Sequence, residues 1–395
     1  MSVAGFTLAI FPYFLFKSGG IKSVSTIRVP KLPASYTAKN VYWVQGGLLI
    51  LFWIWAFVLF KKYPIDIAHS DILPFINDIL LKRFMNGEQV YALVNGFNNY
   101  PNAFTPNYFP FHWLPFSIAY LFKLDLRVTV LFFFSLSSWY YVKCNLKNAP
   151  VGLVTLFLLQ LPLLIALSIL AKQGADFAAN IEVLIMAYYL FLASSVFKES
   201  SAVKAFGLVF PFLSRYAFLF WLPAYFYALM RKKFTSAFYT GLIFGALVLA
   251  LFVIPFVRTN PEILKQSGDI YIDGAMGEWK GQSWQAPGDK PFQLFQGMGF
   301  ASWFYTWGTG TLRENIITLK SILMYACLLS ALLPLLVYKK ASKYLSTSWF
   351  SLLSLKFCLT IFYAFIMVPY LYLFWVPMVV SAVILMKAHL EEELA

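Results

Sequence analysis

Acidic side chains are scarce in this sequence: 17 Asp and Glu in 395 residues, against 31 Lys and Arg, with only 12% of the chain charged at all. An ordinary soluble domain carries roughly 25% charged residues. That deficit, beside 60% hydrophobic and 20% aromatic content, excludes a soluble globular class and leaves an all-α polytopic membrane protein. Histidine is rarer still at three, too few for a histidine-rich metal site. The three cysteines, Cys144, Cys327 and Cys358, stand at no metal or redox spacing, and the last two lie inside apolar runs as small core residues do. The chain has no phosphate-cradling P-loop, no G-x-G-x-x-G behind a strand and no H-E-x-x-H, which removes the usual signatures of ATP, dinucleotide and zinc-protease sites. It also lacks an internal repeat of fixed period and any low-complexity tract, so residues 1–395 read as a single transmembrane domain.

What the chain has instead is apolar length. Runs at 41–60, 109–123, 127–142, 150–171, 181–197, 203–214, 216–230, 235–257, 319–338, 347–367 and 369–387 predict roughly 10–12 crossings. Val3–Phe16 is short for a span, has no basic leader or small-residue cleavage site, and reads as an interfacial helix ahead of a polar, basic approach over 17–40. The net charge of +14 comes from basic residues in short loops, the pattern of cytoplasmic topology determinants facing an anionic leaflet. Arg231-Lys232-Lys233 and Lys339-Lys340 with Lys343 are therefore placed inside. Alternation puts Lys172–Asn180, Ser214–Tyr216 and the loop 258–318, with five basic and six acidic residues, outside. Placing 61–110 outside as well leaves an odd count of three runs before Lys172. A break of 150–171 into two half-crossings at Pro162 would restore the parity, since proline removes a helical hydrogen bond. A cytoplasmic 63–110, flanked by Lys61 and Lys62, is the other solution.

The polar interval from Tyr63 to Pro115 organises the reading. Asp66, His69, Asp71 and Asp78 concentrate ionisable groups beside a membrane-length run, where charge must be solvated, paired or used. Ser70 or Asp71 can cap a helix whose first turn holds Pro74. Ile72, Ile76, Ile79, Leu80 and Phe84 recur at helical spacing, with Asp71, Asp78 and Lys82 opposite, which predicts an amphipathic surface helix over 72–85. Asn86-Gly87 ends it. Each residue has a plain reading: Asp71 as a helix cap, Asp78 paired four residues on with Lys82, Asp66 and His69 as loop hydrogen-bonders. Trp279, Trp284, Trp303 and Trp307 are either interfacial anchors or sugar-stacking faces.

Asp71 followed sixteen positions on by Gly87 and then Tyr91, in DILPFINDILLKRFMNGEQVY, resembles polyprenyl-phosphate-sugar-dependent glycosyltransferases of the GT-C superfamily, most closely the bacterial family 87 alpha-mannosyltransferase-like group. Tyr108-Phe109-Pro110 with Trp113-Leu114-Pro115 is similar to the aromatic-proline opening of that family's second span. Ser214-Arg215-Tyr216, leading to Leu222-Pro223 and Arg231-Lys232-Lys233, echoes its later elements. The resemblance covers roughly 45–257. It departs from the family at Lys172-Gln173-Gly174 with Asn180, where Gly-Gln-x-Asn is usual, and in having Ser70 rather than a second acid before Asp71, which points to transfer without a metal.

The resemblance implies transfer of a sugar such as mannose from a polyprenyl-phosphate donor to a lipid-linked or glycan acceptor, at the outer face of an inner membrane and with no cofactor. Asp71 would be the general base. Arg215 would bind the phosphate, as a guanidinium can bidentately, with Lys172 a second cation. Asp66, His69, Tyr108 and Trp113 would line the substrate, and the loops 61–110 and 258–318 would enclose the acceptor. A transporter or lipid flippase is the rival from another class, although such proteins place charges within the spans of two related halves, a symmetry missing here. A non-catalytic assembly subunit is the third reading.

Overall fold

A computed structural model describes the chain from Tyr36 to Glu392, apart from 67–69, 71, 98–99, 107, 147–150, 262, 264–267, 282–284 and 287. The interfacial helix expected over Val3–Phe16, the approach up to residue 35, and His69, Asp71 and Trp284 lie outside the described residues. The described chain is mostly helical. Six segments are long and apolar enough to cross a membrane: Ala38–Lys62, Leu153–Lys172, Phe234–Val257, Leu312–Ala341, Thr347–Ala364 and Leu371–Glu391. Residue contacts group the chain into two units, one holding Ser35–Tyr216, Lys233–Gln266 and Met378–Ala395, the other Ala217–Lys232 and Ser267–Pro377.

The first unit begins with α1, Ala38–Lys62. A shorter helix follows in three consecutive pieces, together α2: Leu73–Phe75, a π-helical stretch Ile76–Leu81, and Lys82–Met85. A hairpin pairs β1, Val94–Phe97, with β2, Tyr100–Phe104. Short helices α3, Pro110–Trp113, and α4, Ser117–Leu121, flank a 3-10 turn. Then come α5, Arg127–Asn145; α6, Leu153–Lys172; α7, Gly174–Ala179; α8, Glu182–Ser195; and α9, Ser201–Phe212.

Three contacts fix the direction of these helices. Tyr36 and Val151 exchange backbone hydrogen bonds of 3.0 and 2.9 Å, so α1 and α6 start side by side and run parallel. Arg127, at the start of α5, donates to Phe60 O and Tyr63 O at the end of α1 and to Ala178 O of α7, so α5 runs back. Arg215, just past α9, pairs with Glu182 at the start of α8. The ends of α1, α6 and α9 and the starts of α5 and α8 thus gather at one end of the unit.

One run expected as a crossing takes another form in the structure. The run 109–123 does not cross: Pro110 and Pro115 cut it into pieces of four, three and five residues, Lys123 turns the chain at φ 54°, and Arg127 is back at the end of α1. Between 63–110 and Lys172–Asn180 the two long helices are therefore α5 and α6, of which α6 is among the six apolar enough to cross.

The predicted break at Pro162 is not found either, because α6 is continuous over Leu153–Lys172. Proline at 162 leaves the carbonyl of Leu158, four residues back, without its helical donor. The hydroxyl of fully buried Tyr141, on α5, donates to that oxygen at 2.9 Å. The same device recurs. Tyr188 of α8 donates to Phe111 O, four before Pro115, at 3.0 Å.

The second unit holds α10, Leu222–Lys232; in the first, α11, Phe234–Val248, continues as a π-helix to Val257. The segment expected as an outer loop, 258–318, is itself folded in its second-unit part. Here α12, Gly268–Trp279, α13, Phe292–Gln296, and α14, Ala301–Trp307, lead into α15, Leu312–Ala341. Their core packs Ile272, Trp279, Leu294 and Ala301 against Ile316 and Leu319. Trp279 is fully buried, with Nε1 donating to Met367 O at 2.8 Å, whereas Trp303 and Trp307 are exposed. Thr311 and Glu314 close a capping box at the head of α15. In α15, Pro334 orphans Ser330 O, and the thiol of Cys358, on α16, Thr347–Ala364, donates to it at 3.3 Å. The last helix is α17, Trp375–Glu392.

Candidate functional site

The polar interval is held at its near end by Arg127. All five guanidinium donors are used: Nε and Nη2 on the Asp125 carboxylate at 2.9 and 2.6 Å, and the rest on Tyr63 O, Ala178 O and Phe60 O. Its plane also lies 4.2 Å from the Phe60 ring centroid. At 2% exposure this cation is consumed by structure, and it fixes where the chain leaves α1. Phe60, Pro64, Asn77, Asp125 and Arg127 line an open hollow beneath α2.

α2 occupies the place the periodicity predicts, but its buried face is turned. Leu73, Phe75, Ile76, Leu80 and Leu81 are buried and Phe84 emerges. The π-helical stretch accounts for this, because its wider i→i+5 turn shifts every later side chain around the axis. The helix starts after Ile72 with no side-chain cap and Pro74 in its first turn. It stops as expected at Gly87, φ +69°. Asp78 is exposed and accepts from Asn77 at 2.7 Å. Arg83 then gathers the chain beyond, donating to Val90 O, Ala92 O and Leu93 O.

At the far end of the interval, buried Tyr91 donates to Tyr108 O at 2.7 Å, accepts from Trp113 Nε1 at 3.0 Å, and takes Asn260 Nδ2 on its own carbonyl at 2.9 Å. Burial holds its phenol above the ordinary range. Trp113 is fully buried, its ring packed edge-on against Phe84, Tyr91 and Phe256. Tyr108 is half-buried, its ring stacked 4.5 Å from that of His112.

His112 is a residue the sequence reading passed over. It is 4% exposed, and burial first and the charge of Arg215 second hold its imidazole well below its usual pKa, opposed by a hydrogen bond with the Ser214 backbone. The Phe111 N–H donates to Leu213 O at 2.8 Å, which docks the end of the interval directly on the 213–216 turn. There Arg215 pairs through Nη2 with Glu182 Oε2. The arginine side chain is 25% exposed and the glutamate 1%, and the Glu182 N–H is itself held by Asn180 Oδ1 at 2.8 Å. Glu182 was also missed. The available signal was an acidic residue opening an otherwise apolar run at 181–197.

The described candidates therefore collect at one end of the first unit. Tyr108, His112 and Arg215 are brought together. Asp66 lies in the turn after α1, its carbonyl accepting from Ser70 N–H. Lys172 is exposed at the end of α6, next to Gly174, which packs on Leu59 of α1. No family model, curated protein or solved structure matches this chain.

Proposed function

We propose that the chain is a membrane glycosyltransferase that moves a sugar such as mannose from a polyprenyl-phosphate donor to a lipid-linked or glycan hydroxyl, at the outer face of an inner membrane. One observation carries the reading. The polar interval that contains Asp71 ends on the Tyr108–His112–Arg215 cluster, so the segment of the candidate base and the candidate phosphate-binding cation belong to the same end of one helical unit.

The chemistry follows from these parts. The acceptor hydroxyl attacks the anomeric carbon, its proton passes to the Asp71 carboxylate, and the C–O bond to phosphate breaks with the electron pair leaving on the lipid phosphate. Arg215 stabilises that dianion. Glu182 holds one edge of the guanidinium and orients the other, at the cost of part of its positive field. His112, kept neutral by burial, stacks beneath Tyr108 without adding a second charge.

The test is transfer from a radiolabelled polyprenyl-phosphate sugar by purified protein in lipid, with EDTA present. Asp71→Asn, a near-isosteric change that removes the carboxylate's proton-accepting charge, is expected to lose about 10²–10⁴ in rate. Arg215→Ala is expected to weaken donor use, with Arg215→Lys restoring only part of it. Unchanged turnover in Asp71→Asn would remove the base. Translocation of the intact donor without transfer would make the protein a flippase.

A further inference from the structure

Three helices of the first unit carry a buried carboxamide layer that the proposed reaction does not use. Gln45 of α1 and Gln160 of α6 are 2% and 3% exposed, and neither Nε2 nor Oε1 of either has a hydrogen-bond partner. Asn145 of α5, 3% exposed, donates Nδ2 to Tyr141 O at 2.7 Å and leaves Oδ1 without one.

The register brings the two glutamines to one level, with Asn145 one helical turn away. α1 and α6 run parallel from the Tyr36–Val151 bridge, and each glutamine stands seven residues past its helix's first residue, Ala38 or Leu153, about 10 Å along the axis at 1.5 Å per residue. α5 runs the opposite way, and Phe52 of α1 meets Phe134 of α5 with ring centroids 5.4 Å apart. Two helical turns are close to seven residues and return to the same face. Stepping back from Phe52 and forward from Phe134 therefore sets Gln45 opposite Tyr141. The Tyr141 hydroxyl rests on Leu158 O, two residues before Gln160, and Asn145 lies one turn further on.

We propose that this layer is an internal water site between α1, α5 and α6. The chemistry selects the guest. A cation would meet only the three amide oxygens, and an anion only the amide N–H groups. A neutral molecule that both donates and accepts meets every one of them, and an ordered internal water typically makes about three such bonds. Unmet, buried carboxamides on helices of membrane-spanning length would oppose the packing they sit in; hydrated, they join three helices through one polar node.

Radiolytic hydroxyl-radical labelling of the full chain in lipid nanodiscs, read by mass spectrometry, tests this. The radical forms from water itself, so a buried tyrosine beside internal water is oxidised although bulk solvent does not reach it. Tyr188 is the control, being 1% exposed and donating to a proline-orphaned carbonyl as Tyr141 does. Tyr141 is expected to be modified at least about fivefold faster than Tyr188, and Gln45→Leu with Gln160→Leu to bring the two rates together at undiminished thermal stability. If the double variant does not fold, Gln45→Met alone is expected to lower the Tyr141 rate. Equal rates for Tyr141 and Tyr188 in the unsubstituted protein would show the layer dry and overturn the inference. Fast Tyr141 labelling that persists in the folded variants would place the water elsewhere.

Discussion

Tyr141→Phe removes one oxygen from the interior of the first unit, and the structure says what that oxygen does: it caps the Leu158 carbonyl that Pro162 left without a donor. Tyr141 is fully buried and Leu158 is partly buried, and the ring keeps its packing in the phenylalanine variant. The expected loss is therefore the desolvation of an unmet carbonyl, about 1–3 kcal/mol, toward the lower figure if a water of the carboxamide layer takes over the bond. The informative measurement is a double-mutant cycle. Pro162→Ala restores an N–H to α6, and that N–H bonds Leu158 O within the helix. In this background the tyrosine hydroxyl is redundant, so Tyr141→Phe is expected to cost less by about 1–2 kcal/mol, the coupling typical of groups sharing one acceptor. Equilibrium unfolding in mixed micelles, followed by tryptophan fluorescence, supplies the four stabilities. An equal cost of Tyr141→Phe in both backgrounds would refute the link between the hydroxyl and the proline.

Two further outcomes follow from the geometry. His112 has a folded-state pKa below its unfolded value near 6.5, so its contribution is fully present above pH 6.5 and is lost as pH falls toward the folded pKa, at up to about 1.4 kcal/mol per pH unit; His112→Gln should flatten that part of the stability profile between pH 6.5 and 5, and parallel profiles for the two proteins would count against a buried neutral imidazole. Gly297 has no room for a side chain, since a Cβ there would stand 1.6 Å from Pro369 O. Backbone cannot rotate away as a side chain can, so Gly297→Ala is expected to lower stability by about 1–3 kcal/mol or more, whereas Gly245→Ala, with nothing within 4 Å, should not; a thermal melt of the pair in detergent is sufficient.

The long helices were legible because membrane length is a one-dimensional signal. The runs 41–60 and 150–171 became Ala38–Lys62 and Leu153–Lys172, and Gly87 ended its helix where its conformational freedom said it would. The failures share a cause. Whether 109–123 crosses depends on where Arg127 finds acceptors, and whether Pro162 breaks α6 depends on a hydroxyl 21 positions earlier in the chain. Neither is written in local hydropathy. Glu182 and His112 were missed for the same reason. Each looks like a stray polar residue in an apolar run until the fold lays Arg215 beside it, 33 residues from Glu182.

The proline-orphaned carbonyls also bear on how the chain is made. A helix like α6 arriving alone in hydrocarbon would carry a bare Leu158 carbonyl, at several kcal/mol with no water to meet it. Its donor lies on the helix synthesised just before, Tyr141 of α5. In α15 the order is reversed: Ser330 O waits for Cys358 of the very next helix. Both pairs are successive hairpins, so the two helices of each are expected to leave the insertion machinery together, the second carried in, or the first held back, until the missing hydrogen bond can form.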